Sequence, residues 1–225
     1  MLQTGNSIFS ASLEGNLAQV KAYLQATPSL LNKTDSDHRT ALHWACSGKH
    51  EDTVDYLLSQ GATVDCLDEA SWTPLLIAVS VGSESIVRKL LAFGASVDAK
   101  TDSLVSCLHY AASKGRVAIG TVLMQFGAMV DARDNLGQTP LHRAASIGSS
   151  AFIKALVEAK ASVKSVDRMG NSPLHLAAEG GHPDAILLLV EAGADVQCKN
   201  KEDKTPIELT QDLKLRDYLT RQLEL

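Results

Sequence analysis

Apolar residues recur along this chain at the spacing of one helix face. Val54, Leu57 and Leu58 form one such set and Ile86, Leu90 and Leu91 another, a pattern that predicts amphipathic helices. Glycines follow the sets, at Gly61, Gly94, Gly127 and Gly193, where the left-handed backbone that ends a helix costs least. Lys160 occupies the same column and should carry a penalty of about 1 kcal/mol there. Val64, Val97, Val130, Val163 and Val196 come next, each expected to open a hairpin. Ahead of each set lies a shorter stretch that keeps returning. Thr40-Ala41-Leu42-His43-Trp44-Ala45 reappears as Thr73-Pro74-Leu75-Leu76-Ile77-Ala78 and Ser106-Cys107-Leu108-His109-Tyr110-Ala111. Thr139-Pro140-Leu141-His142-Arg143-Ala144, Ser172-Pro173-Leu174-His175-Leu176-Ala177 and a decayed Thr205-Pro206-Ile207-Glu208-Leu209-Thr210 follow. The copies start at 40, 73, 106, 139, 172 and 205, a constant step of 33. The leading hydroxyl suits a helix N-cap, and the proline after it suits the first helical position.

A 33-residue period carrying Thr-Pro-Leu-His-x-Ala is the signature of ankyrin repeats. The chain is therefore identified as a member of that family: an all-α repeat solenoid of seven stacked units, each a helix-turn-helix plus hairpin, curved with a concave binding face. Projecting the period back from Thr40 lands on Ser7, which predicts a degenerate capping repeat over 1–36. The remaining boundaries are expected at 37–69, 70–102, 103–135, 136–168, 169–201 and 202–225. The last unit is short, and Leu213 to Leu219 reads as an amphipathic capping helix.

Composition narrows the partner class. The net charge of −5 over 225 residues argues against nucleic acid and anionic membranes. No apolar stretch is long enough to span a bilayer, and Met1 to Gly5 has neither the basic start nor the apolar run of a secretory signal. Cys46, Cys66, Cys107 and Cys198 form no C-x-x-C pair, so reduced thiols are expected rather than zinc. These features predict a cytoplasmic and nuclear protein without cofactor or metal, monomeric when free.

Four histidines fall in one column, His43, His109, His142 and His175. A catalytic group occurs once, whereas a structural group recurs with its scaffold, so a bridge between neighbouring repeats is expected. No phosphate loop, H-E-x-x-H or nucleophile elbow is present, and no enzymatic activity is expected. Function should lie in the variable columns, the hairpin tips and the turns between paired helices. Asp37, Arg39, Glu69 and Trp72 fall at tips, and Lys114 and Arg116 at an inner turn. Trp72, as an exposed tip residue, reads as an interface anchor. Trp44, Tyr110 and Arg143 share a column that normally holds an apolar residue. The two rings could fill the core edge or touch a partner; Arg143 could join a scaffold ion pair or reach a ligand.

Beyond the generic repeat, the chain closely resembles the gankyrin family of seven-repeat assembly chaperones of the proteasome regulatory particle. The stretches that carry the resemblance are Arg39 to Ser47, Leu108 to Lys114, Asp134 with His142 to Ala145, Gly170 to Ala177 and Asn200 to Pro206. The resemblance implies a stoichiometric binder of the C-terminal domain of one proteasomal AAA+ ATPase subunit, regulatory-particle triphosphatase 3. It implies contacts through Asp37, Arg39, Trp44, Glu69, Trp72, Tyr110, Lys114 and Arg116. A second reading is a regulator of a cyclin-dependent kinase. One family feature is missing: Leu176-Ala177-Ala178-Glu179-Gly180 stands where a Leu-x-Cys-x-Glu motif would bind the retinoblastoma protein.

Overall fold

The computed structural model describes residues 7–211 and 213–222. These form thirteen α-helices and two short 3-10 turns, with no β-strand among the described residues. The chain divides into two compact units, Met1–Asp102 and Ser103–Leu225.

The first unit holds three helix pairs: α1 (Ile8–Leu13) with α2 (Leu17–Ala26), α3 (Ala41–Ser47) with α4 (Glu51–Ser59), and α5 (Pro74–Val81) with α6 (Glu84–Ala92). Leading helices pack on leading helices, α1 on α3 and α3 on α5, while α2 packs on α4 and α4 on α6. The helical spacing read from the sequence is what turns inward: Val54, Leu57, Leu58, Ile86, Leu90 and Leu91 are all buried. Each such side chain contributes roughly 1.5–3 kcal/mol by leaving water. Every residue from Pro74 to Val79 is buried, so α5 is enclosed on all sides until its last two residues. The capping repeat departs from the period by one residue. Ser7 caps α1 as projected, accepting from the Ser10 amide at 3.2 Å, but α2 then starts at Leu17, one position before the register of α4 would place it.

The second unit repeats the plan with α7 (Cys107–Ser113) and α8 (Val117–Gln125), α9 (Pro140–Ser146) and α10 (Ser150–Glu158), and α11 (Pro173–Glu179) and α12 (Pro183–Glu191). Its last repeat keeps only a 3-10 turn, Ile207–Leu209, in place of a leading helix, followed by α13 (Leu213–Gln222). Glu208 stands there in the histidine column, and its carboxylate accepts from the Thr205 amide at 2.8 Å and hydroxyl at 3.0 Å. Gly120 on α8 is buried under the Phe152 ring of α10; a Cβ at Gly120 would lie 2.3 Å from that ring. This close approach lets the largest fully buried side chain of the unit seat itself.

The expected glycine column holds. Gly61, Gly94, Gly127 and Gly193 have φ of 85°, 87°, 87° and 91°, and Lys160 adopts φ 68° among them. At the expected hairpins the chain makes tight five-residue turns without extended strands. Lys100 and Ser106 are isolated bridge residues flanking one of them, and at the others a side chain satisfies turn amides.

Candidate functional site: the repeat tips and inner turns

One side chain organises most tips: Asp35, Asp68, Asp134, Asp167 or Asn200, whereas the tip at 101–105 has Thr101 in that column. In the turn Asp68–Trp72, Asp68 Oδ1 accepts from the amides of Ala70 at 3.0 Å and Trp72 at 2.8 Å. The Asp68 amide donates to the Trp72 carbonyl, Ser71 donates back to the Asp68 carbonyl, and Glu69 donates to the Asp37 carbonyl of the preceding tip. All five amides of the turn are thereby bonded. Turns 134–138, 167–171 and 200–204 repeat the scheme with Asp134, Asp167 and Asn200. The rungs between tips run from Asn135 to Ser103, Arg168 to Leu136 and Lys201 to Met169. This column, Asp35, Asp68, Asp134 and Asp167 at multiples of 33, was visible in the sequence. Sequence reasoning singled out the neighbouring, more variable residues instead.

The second carboxylate oxygen does separate work. Asp35 Oδ2 accepts from Trp44 Nε1 at 2.7 Å, while Asp134 Oδ2 takes the guanidinium of Arg143, the same column 99 residues later. Asp68 Oδ2 takes Arg39 Nε at 3.0 Å, and the Arg39 guanidinium lies 5.1 Å from the Trp44 ring centroid. Gln138 reaches Asp167 and Asn200 reaches Asn171 in the equivalent manner. The side chains of Asp68 and Asp134 are only 3% and 1% exposed, so each buried charge depends on its partner. Burial alone would push the Asp134 carboxyl up; Arg143 and the amides of Gln138 and Leu136 outweigh it and hold the group below the usual carboxylate range. Arg39 and Arg143 are therefore tied into the scaffold.

The histidines are structural as expected. Thr40, Ser106, Thr139 and Ser172 each donate an amide to the following imidazole Nδ1 at 3.1–3.3 Å. Nδ1 must be the acceptor, so the proton sits on Nε2. That N–H donates to the carbonyl of the next tip: Trp72, Gln138, Asn171 or Lys204. Burial lowers the His43 and His175 pKa values and takes His142 down to about 4, against the raising influence of the carbonyl each ring bonds. Neutral imidazoles suit this bridge. His50, expected on a solvated outer column, instead bonds the Leu13 carbonyl through Nε2 at 2.8 Å, and His182 bonds the Ser146 carbonyl in the same way. Burial pushes the thiols of Cys46, Cys66 and Cys198 up, which removes the thiolate that nucleophilic chemistry requires.

The remaining predicted residues fall into two groups. Asp37, Glu69 and Lys114 are exposed, and among the described residues Glu69 and Lys114 enter no ion pair. Trp44, Trp72, Tyr110 and Arg116 are half-buried, so Trp72 is not the freely projecting anchor its tip position suggested. Burial pushes the Tyr110 phenol up, against the charge of Arg143. In the first unit the structure brings Arg39, Trp44 and Asp68 together; in the second it sets Tyr110 near Arg143.

Paired helices joined by aspartate-locked turns and bridged by neutral histidines define a repeat scaffold that displays side chains from its tips and inner turns. The chain belongs to the ankyrin-repeat family: the family profile described as ankyrin repeats in three copies matches residues 8–101 and 106–200. Among curated proteins, the human 26S proteasome non-ATPase regulatory subunit 10 is 42% identical over 67 residues, 30% of this chain and 30% of that protein. The probable 26S proteasome regulatory subunit p28 of Saccharomyces cerevisiae is 37% identical over 78 residues, 33% of this chain and 34% of that protein. The aligned stretches thus span about a third of each relative's length. Among solved structures, the human ASB11 ankyrin repeat domain superposes with a TM-score of 0.87 at 27% identity, over 96% of each chain. The ankyrin repeat domain of Bcl-3 gives 0.82 at 27% identity, over 94% of this chain and 96% of that one.

Proposed function

We propose that this chain is a non-catalytic chaperone for assembly of the proteasome regulatory-particle base. It holds the C-terminal domain of an AAA+ ATPase subunit, regulatory-particle triphosphatase 3, and works in the cytoplasm and nucleus. The observation that carries this reading is the similarity to named 26S proteasome regulatory subunits of human and yeast. The geometry supports the binding role. Asp37, Glu69 and Lys114 are exposed on turns, and a bonded backbone presents charge without an ordering cost at the moment of binding. Charges placed in this way steer and orient a complementary partner more than they add affinity. The aromatic column supplies one half-buried ring in each unit, Trp44 and Tyr110.

Calorimetric titration with the purified ATPase domain at low and high salt tests the proposal. A one-to-one complex is expected that weakens with salt and loses about tenfold in affinity in Lys114→Glu, equivalent to about 1.4 kcal/mol. Lys114 is the better probe than Arg39, whose removal would strand the buried Asp68 carboxylate. No heat of binding with a demonstrably folded domain would sink the assignment.

A further inference from the structure

The tips change character along the chain. At the first two positions of each turn's apex the first unit has Ser36-Asp37 and Glu69-Ala70, whereas the second has Asn135-Leu136, Arg168-Met169 and Lys201-Glu202. Leu136 and Met169 are 56% and 53% exposed, large apolar side chains held out on turns whose amides are all bonded. They sit on adjacent rungs, since Arg168 donates to the Leu136 carbonyl and Lys201 to the Met169 carbonyl, each at 2.9 Å. The Arg168 stem also lies against Gly137, with its Cγ 3.3 Å from where a Cβ would stand. Exposed turns normally carry small or polar residues, so two neighbouring apolar tips call for a covering surface.

Arg133, Arg168 and Lys201 border the two apolar tips, and among the described residues none of them is in a salt bridge. Arg133 is anchored by donating to the Gly137 and Val166 carbonyls, which fixes its position without neutralising it. The nearby carboxylates have partners of their own: Asp134 has Arg143 and its turn, Asp167 its turn and Gln138, Glu202 Lys204, and the exposed Asp203 Lys199. We infer that the tips of residues 133–138 and 166–169, with Lys201, form a docking strip for an acidic protein segment that carries apolar side chains. The leucine and methionine cover the segment's apolar groups while the three cations meet its carboxylates. The strip rests on the protein-binding reading of this scaffold and not on the identity of the ATPase.

The test uses the full chain and fluorescein-labelled synthetic peptides built from Glu and Leu, from Lys and Leu, and from Glu and Ser. Fluorescence anisotropy should show the Glu–Leu peptide binding and the other two at least tenfold weaker. The Leu136→Ser, Met169→Ser double variant and Arg168→Glu should each weaken the Glu–Leu peptide by tenfold or more, with thermal melts unchanged because all three side chains are exposed. Amide shifts in the unaltered protein provide a readout free of mutation and should centre on residues 135–138, 168–171 and 201. Equal binding of the Lys–Leu peptide, no binding of the Glu–Leu peptide, or shifts centred elsewhere overturns the inference. The two proposals fail separately. Loss of the ATPase complex with peptide binding intact rejects only the chaperone reading, and an intact ATPase complex with no peptide binding rejects only the strip.

Discussion

Lowering the pH should destabilise this fold well before its carboxylates titrate. His142 is fully buried, donates to the Asn171 carbonyl through Nε2, and has its pKa lowered to about 4. In the unfolded chain a histidine titrates near 6.5. Between those values the unfolded state binds the proton and the folded state does not, so stability falls as the pH drops through this window. Below about 4 both states are protonated and the loss stops growing. Integrated from about pH 7.5 to about pH 5, His142 alone accounts for about 2 kcal/mol of lost stability. His43 and His175 are shifted in the same direction by burial and add to it. Asp134 is held below the usual carboxylate range, so its own contribution is lost only at lower pH. Urea unfolding followed by circular dichroism across this window gives the slope directly. His142→Gln should be less stable at neutral pH and show a visibly flatter pH dependence. A wild-type stability that stays level from about pH 7.5 to about pH 5, or a variant with the same slope as wild type, would refute the neutral-bridge account.

Other perturbations address other parts of the scaffold. Lys160→Gly should stabilise by about 1 kcal/mol and raise the urea midpoint, because φ 68° is strained for lysine. Gly94→Ala should cost a similar amount through strain alone, since its Cβ would meet no atom within 4 Å; a neutral result would show that the turn relaxes. Arg143→Ala leaves the Asp134 carboxylate buried and uncompensated. A loss of about 2 kcal/mol is expected, discounted from the fully buried case because Arg143 is partly exposed, and Asp134→Asn in the same chain should recover part of it. Gly120→Ala should cost about 1–3 kcal/mol by overpacking against Phe152, and Gly120→Ala with Phe152→Leu should be less destabilised than the two single changes together. Melts of the four proteins close that cycle.

The period, the caps, the histidine bridge and the Lys160 exception were all legible in the sequence, because each depends on a residue type recurring at one position of the repeat. Two features were not. The one-residue slip before α2 lies in the capping repeat, where the motif has decayed and nothing fixes the register. The roles of Arg39 and His50 depend on partners 29 and 37 residues away, distances set by stacking rather than by local pattern, while Arg143 pairs with an aspartate nine residues back on the tip before its own helix. The sequence marks Arg39 as a candidate contact and leaves Arg143 open between a scaffold ion pair and a ligand; the structure pairs both with buried aspartates. For Trp72 the position in the turn is legible and its partial burial is not. Lys114 and Glu69 keep the exposure that their columns implied.

The turns locked by an aspartate or asparagine have a consequence for how any partner can engage them. With all five amides bonded in turns 68–72, 134–138, 167–171 and 200–204, these loops offer no row of open donors. A visiting chain therefore cannot dock on them by strand addition, the mode that exposed sheet edges invite together with aggregation. Discrimination falls wholly to side chains, and these can be exchanged one at a time while the main chain beneath them stays as it is.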